Sequence, residues 1–377
     1  MIVKKIKNLI KAIWRLSHRS LLELRIYCQF LLSRRGEGPL VLFVVCDDEP
    51  GWGSELRSKR VVNYWQNHGK RALFLPSKLL SHQRQRIGRL LKADVVIHQT
   101  FVNEKADPRD FPEAINIVDV DDAHFLDARL KQSIIERCLL CDGAVGGSRY
   151  TENWLRQHVD KTIMLWTSAP YIHVETASPS SRSKKIIWGT TNPLLTKTEA
   201  ELVKKIINNC AAKTTFEFIV IGDGSKKEIA NFFALGLPKT IKVTHIPRQP
   251  YKDFIQILTQ GAVGIAPLIV DGDCFNAGKS FGKILAYIAA EVPVVASNAV
   301  DHALFFQNGE NGFLASEIEE WSDHIVRLLI EPELRDTISA SAKKHLQKEL
   351  SIEAFSTKLY EFVAELYEEK NGVSCCS

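Results

Sequence analysis

The feature that most constrains this chain is an alternation of short, unbroken apolar runs with stretches of helical spacing. The first run is LVLFVV, Leu40–Val45. A run of strand length with no polar interruption belongs to a strand covered on both faces, as in a parallel sheet. Similar runs follow at Ala72–Leu75, Asp94–Ile97, Ile115–Val118 and Gly143–Val145, with helical patterns between them such as Ser54–His68 and Leu79–Leu91. This order predicts a doubly wound α/β sheet. The Ser- and Pro-rich stretch Ser168–Lys185 interrupts the pattern and reads as a linker. The alternation then restarts, with strands expected at Ile186–Trp188, Glu217–Ile221, Ile241–Thr244, Ala262–Ala266 and Val292–Ala296. Helices are expected at Glu199–Asn209, Tyr251–Gln260, Lys283–Ala290, Trp321–Ile330, Glu333–Leu350 and Ser351–Lys370. The predicted organisation is therefore two Rossmann-like domains, 38–170 and 185–350, joined by a linker at 171–184 and followed by a C-terminal helix and tail, 351–377. Two such domains are expected to face a central cleft at the carboxyl ends of their strands, where ligands bind in this architecture.

The N-terminus has a different character. Residues 1–35 hold nine basic residues and a single acid, Glu23, whereas the whole chain of 377 residues is only +5. Ile2, Ile6, Leu9, Ile10, Ile13 and Trp14 recur at helical spacing with Lys and Arg between them. A basic amphipathic helix over 1–37 is expected to lie on an anionic membrane surface; packing against the protein's own body is the alternative. No apolar run is long enough to cross a bilayer, and no small-residue cleavage site follows the apolar stretch. A cytoplasmic protein, peripheral on the inner face of the membrane, is expected, with no nucleic-acid partner. Cys138 and Cys141 have CxxC spacing but no second pair or nearby His, so they read as buried apolar residues. No metal site is expected.

Chemistry concentrates in Gly264–Ser297, where a strand leads through a polar loop to a helix and a second strand. The loop Asn276-Ala277-Gly278-Lys279-Ser280 precedes a helix beginning near Phe281, and Lys279 and Lys283 are four apart. A helix N-terminus flanked by small residues and two cations suits a diphosphate; a solvated loop with surface lysines is the alternative. In the first half, Asp119-Val120-Asp121-Asp122 ends a buried strand, with His124 just beyond. Asp121, Asp122 and His124 are candidates for taking an acceptor proton, against the alternative of a helix cap with first-turn acids. His98 is a weaker candidate. In the loop Asp47–Glu55, Gly51 and Gly53 allow close approach of a ligand on the acceptor side, and Ser54 is placed to cap the next helix. Neither GxGxxG nor a P-loop occurs, which argues against a dinucleotide-binding oxidoreductase and a nucleoside triphosphatase.

The segment "D…FN..KS..K.L.Y.A…PVVAS" resembles the donor-binding segment of family-four retaining glycosyltransferases, members of the GT-B superfamily. Asn308–Leu314 is similar to that family's "NG.NG.L" turn, Ile221–Gly224 to its "iGdG" strand end, and Val118–Asp122 to the "yDiDD" of one branch. The resemblance spans about residues 40–350. It implies transfer of a hexosyl or related glycosyl group, with retention, from a nucleoside-diphosphate sugar to a hydroxyl of a glycan or lipid-linked acceptor, as in cell-surface polysaccharide or lipopolysaccharide synthesis. The sugar nucleotide is a co-substrate and no cofactor is implied. It further implies that Gly189, Thr190, Asn192, Lys197, Gly222, Asn276, Lys279, Ser280 and Lys283 bind the donor. Two departures stand out: Ala286 replaces a Glu that binds ribose in the family, and Glu291 replaces its Gly. A non-catalytic GT-B descendant that binds a nucleotide or glycan is the alternative.

Overall fold

A computed structural model describes residues 19–31, 36–45, 52–99, 107–169, 176–279 and 281–372. Residues 1–18 of the predicted helix, Gly51 and Ser280 lie outside the described residues. The chain forms two compact units, Met1–Thr167 with Phe355–Ser377, and Ser168–Ala354.

The first unit holds six parallel strands: β1 Glu37–Val44, β2 Lys70–Leu75, β3 Val95–Gln99, β4 Ile115–Val120, β5 Gly143–Gly146 and β6 Thr162–Met164. Their order is β2-β1-β3-β4-β5-β6. Leu40 to Val45 are wholly buried, as the unbroken run requires; each such side chain contributes roughly 1.5–3 kcal/mol of apolar burial. Register is regular across the centre, with Val41 opposite Val95 and His98 opposite Val118. The last helix, Ile352–Asn371, is part of this unit. Trp65 donates from its indole to the Ser356 carbonyl at 3.0 Å, and Lys161 pairs with Glu365 and Glu369. Gly143 lets this helix approach: a Cβ there would lie 2.7 Å from the Leu366 side chain.

The second unit repeats the scheme with β7 Lys185–Gly189, β8 Glu217–Ile221, β9 Lys242–Ile246, β10 Val263–Ala266, β11 Val294–Ser297 and β12 Phe313–Ala315. The order β12-β11-β10-β7-β8-β9 is that of a dinucleotide-type doubly wound sheet, which reverses direction between β7 and β10. The doubly wound expectation thus holds in both units. The strands it missed, β6 and β12, are three residues each, too short to show a pattern.

Two local expectations are corrected. The chain is already helical at Trp52, so Gly53 sits in a helical turn rather than an open loop. Ser54 makes no capping bond, because the helix has begun before it. The described part of the linker is also no loose tether: Arg182 donates to the carbonyls of Ala177, Gly261, Ala290 and Glu291. These bonds pin it to the second unit.

Residues 19–31 are helical and packed on the first unit. Ile26 joins the buried cluster of Leu79, Ile87 and Leu91, with Leu22, Tyr27 and Phe30 against it. Among the described residues, no helix is long and apolar enough to cross a membrane.

Candidate functional site

In an open parallel sheet the ligand crevice lies where strand order reverses, beyond the carboxyl ends of the strands. In the second unit that point is the gap between Gly189, ending β7, and Ala266, ending β10. The helix Gly282–Ala289 places Tyr287 beneath it. The Tyr287 hydroxyl accepts the Gly189 N–H at 2.8 Å and faces the carbonyls of Ile187 and Ile265 at 3.2 and 3.4 Å. Its ring takes the space a Cβ on Gly264 would need, 2.5 Å away, and Phe254 does the same at Gly189. These glycines are therefore packing requirements of the crevice floor. Gly222 is another, since its Cβ would meet the Thr190 carbonyl at 2.7 Å and Pro193 at 2.8 Å. Asp223 donates its N–H to the Thr191 carbonyl, and Asn192 accepts from the Leu194 N–H, so the loops after β7 and β8 are bound together. Gly189, Thr190, Asn192 and Gly222 are thus gathered at one place.

Lys283 stands one turn before Tyr287 on the same helix face. Burial, then the neighbouring Lys279, lowers its proton affinity to about 8. Among the described residues neither lysine makes an ion pair within 4 Å; Lys279 lies over the Phe275 ring at 5.7 Å. The first turn of the helix begins without a side-chain cap, and a Cβ on Gly282 would have no atom within 4 Å. A helix start without a side-chain cap, open space beside Gly282 and two neighbouring cations, with Glu199 as the acid that acts on Lys283, are features that suit an anion. Asn276 donates to Glu199 and to the Ile269 carbonyl, both at 2.8 Å, which joins this loop to the first turn of the helix Lys197–Ala211. Lys197, at the start of that helix, is exposed. Sequence reasoning passed over Glu199 and Tyr287. Tyr287 carried a signal, four residues after Lys283, whereas Glu199 carried none. Ala286 is wholly buried and presents no free surface to a nucleotide. Glu291 has φ +55°, a conformation that favours the glycine it replaces. Its side chain bonds Thr176 and Lys343, and its carbonyl accepts from Arg182 and Ser339.

In the first unit, the acidic strand end is organised by a residue the sequence did not single out. Arg57, wholly buried in a π-helical segment Glu55–Lys59, meets both Asp119 oxygens and donates to the Leu165 carbonyl at 2.8 Å. Asp121 lies 3.5 Å from it and accepts from Thr167 at 3.0 Å. Burial works against the Arg57 charge, but Asp119 and Asp121 outweigh it, so its proton is held more tightly than usual. A Cβ on Gly147 would fall 2.6 Å from an Asp121 oxygen. Asp121, Asp122 and His124 are each half-buried. Burial lowers the proton affinity of His124, with Asp121 and Asp127 opposing. His98 lies in β3 bonded to Asn116 at 2.8 Å, and burial lowers it to about 4. It is a neutral part of the core.

Residues 193–331 match the family model described as Glycosyl transferases group 1. The matched residues lie within the second unit. No curated protein is significantly similar to the chain in sequence. Among solved structures, a glycosyltransferase from Rickettsia africae is similar at TM-score 0.65 and 13% identity, over 90% of this chain and 100% of that one. HepE from Anabaena, solved with UDP and glucose, is similar at 0.60 and 14%, over 87% and 100%. TarM from S. aureus, solved with fondaparinux, alpha-GlcNAc-glycerol and UDP, is similar at 0.55 and 14%, over 76% of this chain and 58% of TarM. At these identities the likeness is one of fold, and the fold is GT-B. The lysines, Asn276 and the crevice floor all lie on or beside the matched glycosyltransferase segment.

Proposed function

We propose that the chain transfers a sugar from a nucleoside-diphosphate sugar to a hydroxyl of a glycan or lipid-linked acceptor, with retention of configuration, in cell-surface polysaccharide or lipopolysaccharide synthesis. The observation that carries this reading is Lys283: a half-buried cation beside Lys279, with no ion pair among the described residues, at the first turn of a glycosyltransferase-domain helix. Two such charges repel each other until an anion enters, so they favour a ligand with a compact double charge. The diphosphate of the departing nucleotide has that charge, and it grows as the glycosidic bond breaks. In a retaining reaction without an enzyme nucleophile, the departing phosphate takes the acceptor proton. Asp121, Asp122 and His124 are proposed to orient the acceptor. HepE and TarM, both solved with UDP, support a uridine nucleotide as the first to test. No cofactor is proposed beyond this co-substrate. We also propose that the basic segment 1–35 holds the protein on the inner face of a membrane.

Calorimetric titration with UDP tests the donor site. Lys279→Ala and Lys283→Ala are each expected to weaken binding by roughly 1–3 kcal/mol. Unchanged affinity in both variants would move the site elsewhere. A second reading, a GT-B descendant that binds without turning over, is favoured by the buried Ala286, which supplies no carboxylate to a ribose.

A further inference from the structure

We infer that the lipid-facing surface is a shelf built from two adjacent helices of the first unit, residues 19–31 and Ser81–Leu91, rather than the basic segment 1–18 alone. This deepens the membrane partner proposed above. One face of helix 19–31 is committed to the protein through Ile26 and its neighbours. The other face holds Leu21, Leu24 and Leu31, each about 60% exposed, at helical spacing with Arg25 among them. Solvent-facing leucines in register on a firmly docked helix call for a partner.

Charge identifies the partner. Glu23, the single acid of residues 1–35, is turned inward, where Arg86 and Gln83 hold it and Arg86 keeps its pKa down to about 2. The exposed face of helix 19–31 therefore carries cations and leucines without an acid. The helix to which Glu23 is tied continues the same chemistry. Ser81–Leu91 and the following Lys92 contain no acid, and Arg86, Arg89, Leu90 and Lys92 are exposed. Beyond Arg89 and Lys92 a pocket of about 250 Å³ opens, also lined by Arg109 and by two acids, Asp110 and Glu113; Asp110 is buried and held by Arg84. Leucines beside Arg25, Arg89 and Lys92, for which no ion pair is found among the described residues, match the acyl and headgroup layers of an anionic bilayer. A second copy of the chain would bring like charges together. A nucleic acid would leave the leucines unused. A helix of thirteen residues is about 20 Å long, and lying along a membrane surface it would fix the orientation of the first unit.

The test is co-sedimentation of the full chain with vesicles of phosphatidylcholine, with and without phosphatidylglycerol. Two double variants are compared, Leu24→Glu with Leu31→Glu, and Arg89→Glu with Lys92→Glu. All four positions are exposed, so folding is expected to be unaffected. The wild type should bind the anionic vesicles preferentially, and each double variant should lose about tenfold or more, since one surface cation is worth about fivefold. Unchanged binding in the Arg89/Lys92 variant would overturn the shelf and leave the arm as the sole anchor. Loss in that variant but not in the leucine variant would indicate a polyanion site and overturn the lipid assignment. A dimer in solution that the leucine variant dissolves would also overturn it. UDP binding, measured on the same proteins by thermal shift, stands apart: its absence would sink the donor reading without touching the vesicle result.

Discussion

Lys283 makes the clearest prediction from a single residue. With burial and Lys279 holding its pKa at about 8, it is mostly charged at neutral pH and loses its proton as pH rises past 8. A bound diphosphate favours the charged form and raises that pKa. As far as this lysine sets it, affinity for UDP should therefore level off about a unit below pH 8 and fall above it, by up to tenfold per pH unit. Lys283→Arg, which stays charged, should flatten the decline, and titrations at pH 7 to 10 would check this. Tyr287→Phe tests the crevice floor. It strands the buried Gly189 N–H and should cost about 1–3 kcal/mol of stability in urea unfolding. Glu291 tests the backbone. Glu291→Gly gains about 1 kcal/mol from its left-handed φ and loses the side-chain bonds, so it should stay within about 1 kcal/mol of wild type. Glu291→Ala keeps the strain and loses the bonds, so it should be the less stable of the two.

At the scale of elements, Arg57 shows what the sequence could not convey. The run ending in Val118-Asp119-Val120-Asp121-Asp122 revealed a buried strand with acids at its carboxyl end, and the structure places both there. Which acid is committed to the fold depends on a residue 62 positions upstream. Asp119 is held by Arg57 and wholly buried, whereas Asp121 is shared between Arg57 and Thr167. Long-range pairing leaves no periodic trace, so spacing could not separate Asp119 from Asp121. Arg57→Met should cost about 3–5 kcal/mol in urea unfolding, because it leaves Asp119 buried and unpaired; adding Asp119→Asn should recover much of that. Full additivity of the two losses would show that the pair does not act as a unit. The same limit explains the N-terminal helix. A helix was expected through residue 33 and residues 19–31 form one, but only the partner helix, through Arg86, decides which face the body takes and which is left open. Unbroken apolar runs were legible because burial on both faces constrains every residue of a strand, whereas Ser54 failed as a cap because local residue preference does not set where a helix begins.

On the scale of the whole molecule, two doubly wound units were readable from the alternation alone, and the match to the group 1 glycosyltransferase model falls within the second. The likeness to solved GT-B structures is one of fold, so the proposed activity rests on the lysine site and its chemistry. The most direct measurement is release of nucleoside diphosphate from a panel of sugar nucleotides by the purified full chain, compared with the Lys279→Ala/Lys283→Ala double variant. At least one sugar nucleotide should be turned over by the wild type, and the double variant should be slower by about a hundredfold or more, as expected when groups that stabilise a developing anion are removed. Turnover of no donor by the wild type, or equal rates in the two proteins, would contradict the account.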